Sequence, residues 1–142
     1  MQTDTYFALE PLLLERLRTI PSLAVISVTD ADDKTLFNTV EPTAVVAFQG
    51  DSRKDSNDFA VLLESRWSVS LFIRGHGAKE RSVEEGQLLM SIVQALHGWC
   101  PGDGFGSLEL QGTDPESYDG GTLREYALLF SVDTTLYTRG GR

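Results

Sequence analysis

Between Arg81 and Leu110 the sequence marks both ends of one helix and the corner that follows it: R-S-V-E-E-G-Q-L-L-M-S-I-V-Q-A-L-H-G-W-C-P-G-D-G-F-G-S-L-E-L. Ser82 and Glu85 form an S-x-x-E capping box, in which a hydroxyl and a carboxylate satisfy backbone donors that a helix start leaves open. Leu89, Ile92, Val93 and Leu96 recur at i, i+3, i+4 and i+7, which is one helical face. Gly98 stands where a C′ glycine ends a helix, and Pro101 follows. The run predicts a helix with that face buried on a sheet. A bend over Gly98–Gly106 then hands the chain to a strand at Ser107.

The remaining elements arrange themselves around this one. Leu9, Leu13, Leu17 and Ile20 make an apolar stripe, so a first helix begins near Glu10 with Pro11 in its first turn and ends at Pro21. Leu23–Thr29 alternates as a strand does, and D-A-D-D-K follows as an acidic turn. Thr43–Gln49 is apolar on both faces and predicts a central strand covered on both sides. Gly50–Asp58 is polar and aperiodic, which predicts a mobile loop. From Phe59 to Arg74, Trp67, Val69, Leu71 and Ile73 alternate with Ser68, Ser70 and Phe72, the longest strand signal in the chain. After the corner come a strand at Ser107–Gln111, a loop G-T-D-P-E-S-Y-D-G-G, and a strand from about Thr122 to Leu136. The order α-β-β-β-α-β-β joins consecutive strands without intervening helices. It predicts an α+β fold with a mixed, mostly antiparallel sheet of about five strands packed with two helices, in one domain over residues 1–142.

Charge and side-chain chemistry exclude more than they assign. A formal net charge of −9, from 21 acidic and 12 basic residues, has the wrong sign for a general nucleic-acid binder and disfavours anionic membranes. One cysteine, Cys100, precludes an internal disulfide and suits a reducing compartment. The start of the chain has no cationic region, and its Leu12–Leu14 run is far too short for a signal or a span, so the expected site of residence is the cytoplasm.

His97 and Cys100 could form a thiol–imidazole pair in a small enzyme or ligand-binding module. A helix C-terminus disfavours the thiolate, however, and packing of Cys100 beside Trp99, with His97 as a cation-capable side chain near free carbonyls, explains them better. His76 is the other histidine, and no metal-ligand spacing is present. Asp30, Asp32 and Asp33 could ligate a divalent ion, but the glycine and glutamate positions of an EF-hand are missing and a solvated loop accounts for them. The glycines from Gly102 to Gly106 follow a helix, whereas a dinucleotide fingerprint follows a strand and opens a helix. No catalytic residue, metal site or cofactor is therefore expected.

Several short patterns then line up along most of the chain. They are L-E-P-L-L-L-E-R-L at Leu9–Leu17, P-T-A-V-V at Pro42–Val46 and W-S-V-S-L at Trp67–Leu71. The run A-L-H-G-W-C-P-G-D-G-F-G-S-L-E-L from Ala95, the most specific of them, and Y-A-L-L-F-S at Tyr126–Ser131 complete the set. Together they resemble the small minor tail proteins of long-tailed bacteriophages, the tail terminator or tail-completion group with its lambda-like and Mu-like relatives.

The resemblance implies a non-enzymatic α+β subunit of the virion tail, made in the host cytoplasm. It implies a hexameric ring of identical subunits that caps the tail tube, contacts the tube protein, and joins a head–tail connector or neck protein. Genomic DNA would pass through the ring without specific binding, and an acidic surface suits that passage. Another tail-completion or neck connector role is the alternative. On this reading the expected interface residues are Asp51, Arg53, Lys54 and Asp55 in the polar loop, Arg74 and His76 after the long strand, and Trp99 and Phe105 at the corner.

Overall fold

A computed structural model describes residues 5–30, 41–74, 83–114, 117–119 and 123–138. Its elements in chain order are α1 (Leu9–Leu17), β1 (Ala24–Ser27), a single 3-10 turn (Val28–Asp30), β2 (Thr43–Ser56), β3 (Ala60–Arg74), α2 (Val83–Leu96), β4 (Glu109–Thr113), β5 (Ser117–Asp119) and β6 (Leu123–Tyr137). The strands form one mixed sheet in the order β1-β2-β3-β6-β4, and β5 continues along the outer edge of β6 past β4. β1 runs parallel to β2, with Ala24 opposite Thr43, and every other pairing is antiparallel.

The alternation read from the sequence decides which side of the sheet is apolar. Ala44 and Val46 of β2, Trp67, Val69 and Leu71 of β3, and Tyr126, Leu128 and Phe130 of β6 fall on one face through the cross-strand pairs Val46–Val69, Val69–Leu128 and Trp67–Phe130. Both helices pack on that face. Leu9, Leu13 and Leu17 of α1 and Ile92 and Leu96 of α2 are buried against it. Leu89 and Val93 are only half-buried at the edge of the core, so the α2 face is narrower than its spacing suggests. Val45 lies on the other face. It is buried yet outside the core cluster, and among the described residues no helix covers that side, contrary to the two-sided burial expected for Thr43–Gln49.

The largest departure concerns Gly50–Asp58. It is a strand, not a loop: β2 continues through Ser56, paired with β3 from Asp51–Ser65 to Ser56–Val61, with register shifts at Phe48/Asp51 and Arg53/Asp55. Those bulges scramble the period of two that a sequence reading relies on. The pairing itself is long-range and needs no apolar side chains. Asn57 closes the hairpin, its Oδ1 accepting from the backbone N–H groups of Phe59 (2.8 Å) and Ala60 (3.0 Å). Smaller departures are the shortening of the first strand by the 3-10 turn, a fourth strand that starts at Glu109, and β5 inside the segment read as a loop.

Candidate assembly surface

β2, β3 and β6 are 14, 15 and 15 residues long. At about 3.3 Å per residue β3 runs for roughly 50 Å. The helices serve only part of that length. The core cluster reaches Phe48, Trp67 and Val132. Residues 51–65 and 132–137 continue from there as a three-stranded ribbon, whose base (Leu63, Ser65 and Thr134) is still buried beside Leu9 and Phe105 and whose outer part runs on to the tip. At its tip Phe59 and Tyr137 are 56% and 50% exposed. Thr138 ties the tip shut, its N–H donating to the Phe59 carbonyl at 2.7 Å.

The ribbon carries four of the sequence-predicted contact residues. Asp51 pairs with Ser65 and Arg53 with Leu63, which places both on the helix side of the sheet. Lys54 reaches to the opposite face and bonds both oxygens of Asp133 at 3.0 Å. That hydrogen bond, the Asp133 charge, and smaller contributions from Glu64 and Glu109 hold the Lys54 ammonium above its ordinary range. Asp55 pairs with Leu62 near the tip.

An aromatic ladder marks the boundary between ribbon and body. Buried Trp67 meets Phe48 edge-on at 5.2 Å, Phe48 meets Phe7 at 5.2 Å, and Phe7 meets Tyr6 at 5.3 Å. Tyr6 and Phe7 are each 49% exposed. The Tyr6 hydroxyl donates to Asp51, and that bond to a carboxylate pushes the phenol up from its ordinary range. Sequence reasoning missed Tyr6 and Phe7. Their only signal was a pair of aromatics ahead of the first helix.

The corner is built as expected and used differently. Gly98 ends α2 at φ +82°, a backbone region that glycine enters without strain. Its N–H donates to Leu108 (2.7 Å), Leu108 returns a bond to Trp99 (2.9 Å), and Gly106 and Thr135 bond the corner to β6. The Arg16 guanidinium stacks 5.3 Å from the Trp99 ring while its Nε donates to the Ala95 carbonyl, which locks α1 to the end of α2. Trp99 and Phe105 are thus half-buried parts of the core margin.

His97 turns to β4: its Nδ1 accepts the Leu110 N–H at 3.1 Å, fixing the start of that strand. Cys100 is exposed rather than packed, its Sγ turned to the Phe105 carbonyl at 3.3 Å. His97 and Cys100 have separate backbone partners and do not form a thiol–imidazole pair.

Glu85, read as half of a capping box, has a further role. It is buried, and its carboxylate accepts from Arg124 (2.9 Å) and from the Tyr126 hydroxyl (2.8 Å), which fastens the first turn of α2 to β6. Ser82, His76, Asp32 and Asp33 lie outside the described residues. Arg74 ends β3 opposite Leu123, far along the sheet from the ribbon. The structure therefore gathers Asp51, Arg53, Lys54 and Asp55 on one strand of the ribbon, sets Phe105 at the other edge of its base through a bridge to Thr134, and leaves Arg74 and Trp99 elsewhere. Among the described residues no group of three His, Cys, Asp or Glu could hold a metal ion, and no helix is long and apolar enough to cross a membrane.

A family model for the phage tail terminator protein matches residues 2–139. The chain belongs to the phage tail terminator family. A tail terminator is a structural protein of the virion tail, not an enzyme, and the extended sheet with its projecting ribbon is to be understood in that setting. Among solved structures, a chain in the virion of a native gene transfer agent particle has the same fold, with a TM-score of 0.61 and 13% identity over 87% of this chain and 92% of that one. At that identity the likeness concerns the fold alone. No curated protein matches the sequence.

Proposed function

We propose that this tail terminator, a single domain, assembles as a hexameric ring of identical subunits that caps the head-proximal end of the tail tube and joins it to the head or neck. The observation that carries the reading is the family match over residues 2–139. The fold supports it: a ribbon that leaves the body with exposed aromatics at its tip is a shape suited to reaching a neighbour. The partners are further copies of this chain, the tail tube protein and a connector or neck protein. Asp51, Arg53, Lys54 and Asp55 would act on the ribbon, with Arg74, His76, Trp99 and Phe105 at secondary contacts.

DNA passes through the ring without being held, because a chain of net charge −9 repels phosphate. The subunits gather in the host cytoplasm before they join the tail. No cofactor is required. Light scattering across a wide concentration range, with and without purified tail tubes, tests the proposal. Six-membered rings, free or seated on tube ends, are expected. A species that stays monomeric and ignores tubes would overturn it.

A further inference from the structure

The two faces of the ribbon are unlike, and the difference is one of charge as well as polarity. On the helix side Val61, Leu63 and Leu136 continue the apolar face beyond the core cluster, and Arg53 stands among them opposite Leu63. On the open side an open groove of about 230 Å³ runs between the ribbon and the corner, lined by Lys54, Glu64, Glu109, Ser131 and Asp133. Lys54 is already taken by Asp133 at 3.0 Å. Glu64 and Glu109 are left facing the groove as surplus negative charge.

Arg53 is the counterpart. Every other basic side chain among the described residues is engaged: Arg16 with Ala95, Arg18 with Val25, Lys54 with Asp133, Arg66 with Ser52, Arg124 with Glu85, and Arg74 with a partner of its own. Arg53 is exposed and has no hydrogen-bond or ion-pair partner among those residues. Cation and groove lie on opposite faces of one thin sheet, so a single subunit cannot bring them together. A twofold pairing, which would meet the same face twice, cannot use both at once either. A head-to-tail contact can, and contacts of that kind close into rings.

We propose that the helix side of one ribbon docks on the open side of the ribbon of a second copy of this chain, with Arg53 of the first entering the groove between Glu64 and Glu109 of the second. The inference rests on the ring reading and names the contact that would build it. A rigid guanidinium between two carboxylates fixes register, while the half-buried Val61 and Leu136 lose their remaining contact with water.

Charge exchange tests the contact. Ring formation, free or on tube ends, is followed by mass photometry for the full chain, R53E, the pair E64R/E109R, and all three changes together. Among the described residues the side chains of Arg53, Glu64 and Glu109 make no hydrogen bond or ion pair, and matching circular dichroism melts confirm that each variant folds. R53E and E64R/E109R are each expected to raise the concentration for half-assembly at least about tenfold, the triple variant to recover most of it, and added salt to weaken wild-type rings. Rings that form equally well with R53E, or a triple variant no better than the single one, overturn the contact and leave the ring reading standing. A wild-type chain that forms no ring, even on tube ends, overturns both.

Discussion

The body and the ribbon are made by the same three strands, yet they are stabilised differently. In the body, period-two side chains meet two helices, and Val69, Leu71, Ile92 and Leu96 are fully buried. In the ribbon the backbone ladder continues through Asp51–Ser65 and Ala60–Tyr137, and among the described residues no helix covers it beyond its base, where Leu9 lies beside Leu63 and Ser65. Backbone pairing is therefore enough to extend a sheet, provided that packing elsewhere has already set its register. The ribbon also shows how an extended edge stays soluble. Two register shifts and the run Asp51, Arg53, Lys54, Asp55 interrupt the outer strand, the combination that blocks indiscriminate edge pairing. Stability belongs to one half of the molecule, and the freedom to meet a partner belongs to the other.

Substitutions can separate the two halves. The largest effect belongs to the body. Trp67→Ala, which removes a 3%-exposed side chain from between Phe48 and Phe130, should cost about 3–5 kcal/mol in denaturant unfolding. Arg124→Met, which strands the Glu85 carboxylate in the interior, should cost about 3–5 kcal/mol at neutral pH, and adding Glu85→Leu should recover much of that. Gly98→Ala should cost about 1–2 kcal/mol by forcing a side chain into the left-handed region at φ +82°, although there is open space around it.

The ribbon should behave otherwise. Phe59→Ser, at a 56%-exposed position, should change unfolding by no more than about 0.5 kcal/mol while impairing assembly, and a large loss of stability there would erase the contrast. Smallest of all is Lys54→Met. The Lys54 pKa is raised above its ordinary 10.5, so whatever the ion pair contributes is fully present at neutral pH and is lost only as pH climbs through that raised value. Because both partners are exposed, the melting temperature at neutral pH should not shift measurably, and it should stay insensitive to salt.

How far the sequence disclosed this arrangement depended on where each signal came from. Both helices were legible because Leu9, Leu13 and Leu17, and Ile92 and Leu96, repeat at helical spacing and do face the core. β3 and β6 were legible because their alternation is unbroken from Trp67 to Leu71 and from Tyr126 to Phe130. The outer half of β2 was not. Its partner lies across a hairpin, its bulges shift the period, and its side chains meet water on both faces, so nothing local distinguishes it from a loop. The parallel entry of β1 was hidden for a related reason, since handedness and direction are properties of the crossover and not of Ala24–Ser27.

At the candidate surface, residue types were better guides than positions. Arg53 and Lys54 were singled out as charged side chains in a polar stretch, but their division between two faces followed only from the register. Glu85 was identified and its cap proposed, while the buried pair with Arg124 depends on a strand many residues away.

The pairing of β3 with β6 has a consequence for how the subunit is made. Every residue of β3 from Ala60 to Arg74 is opposite a residue of β6, yet the two strands are separated by α2, the corner and two short strands. During synthesis β3 emerges with β2 on one side and nothing on the other. It waits, with a full-length edge open, until residues 123–137 leave the ribosome. Contacts so distant in sequence make folding slow, and the body and the ribbon acquire their shared third strand in the same event. A nascent chain stalled before β6 has neither half of the molecule complete, so competence to assemble arrives together with the fold.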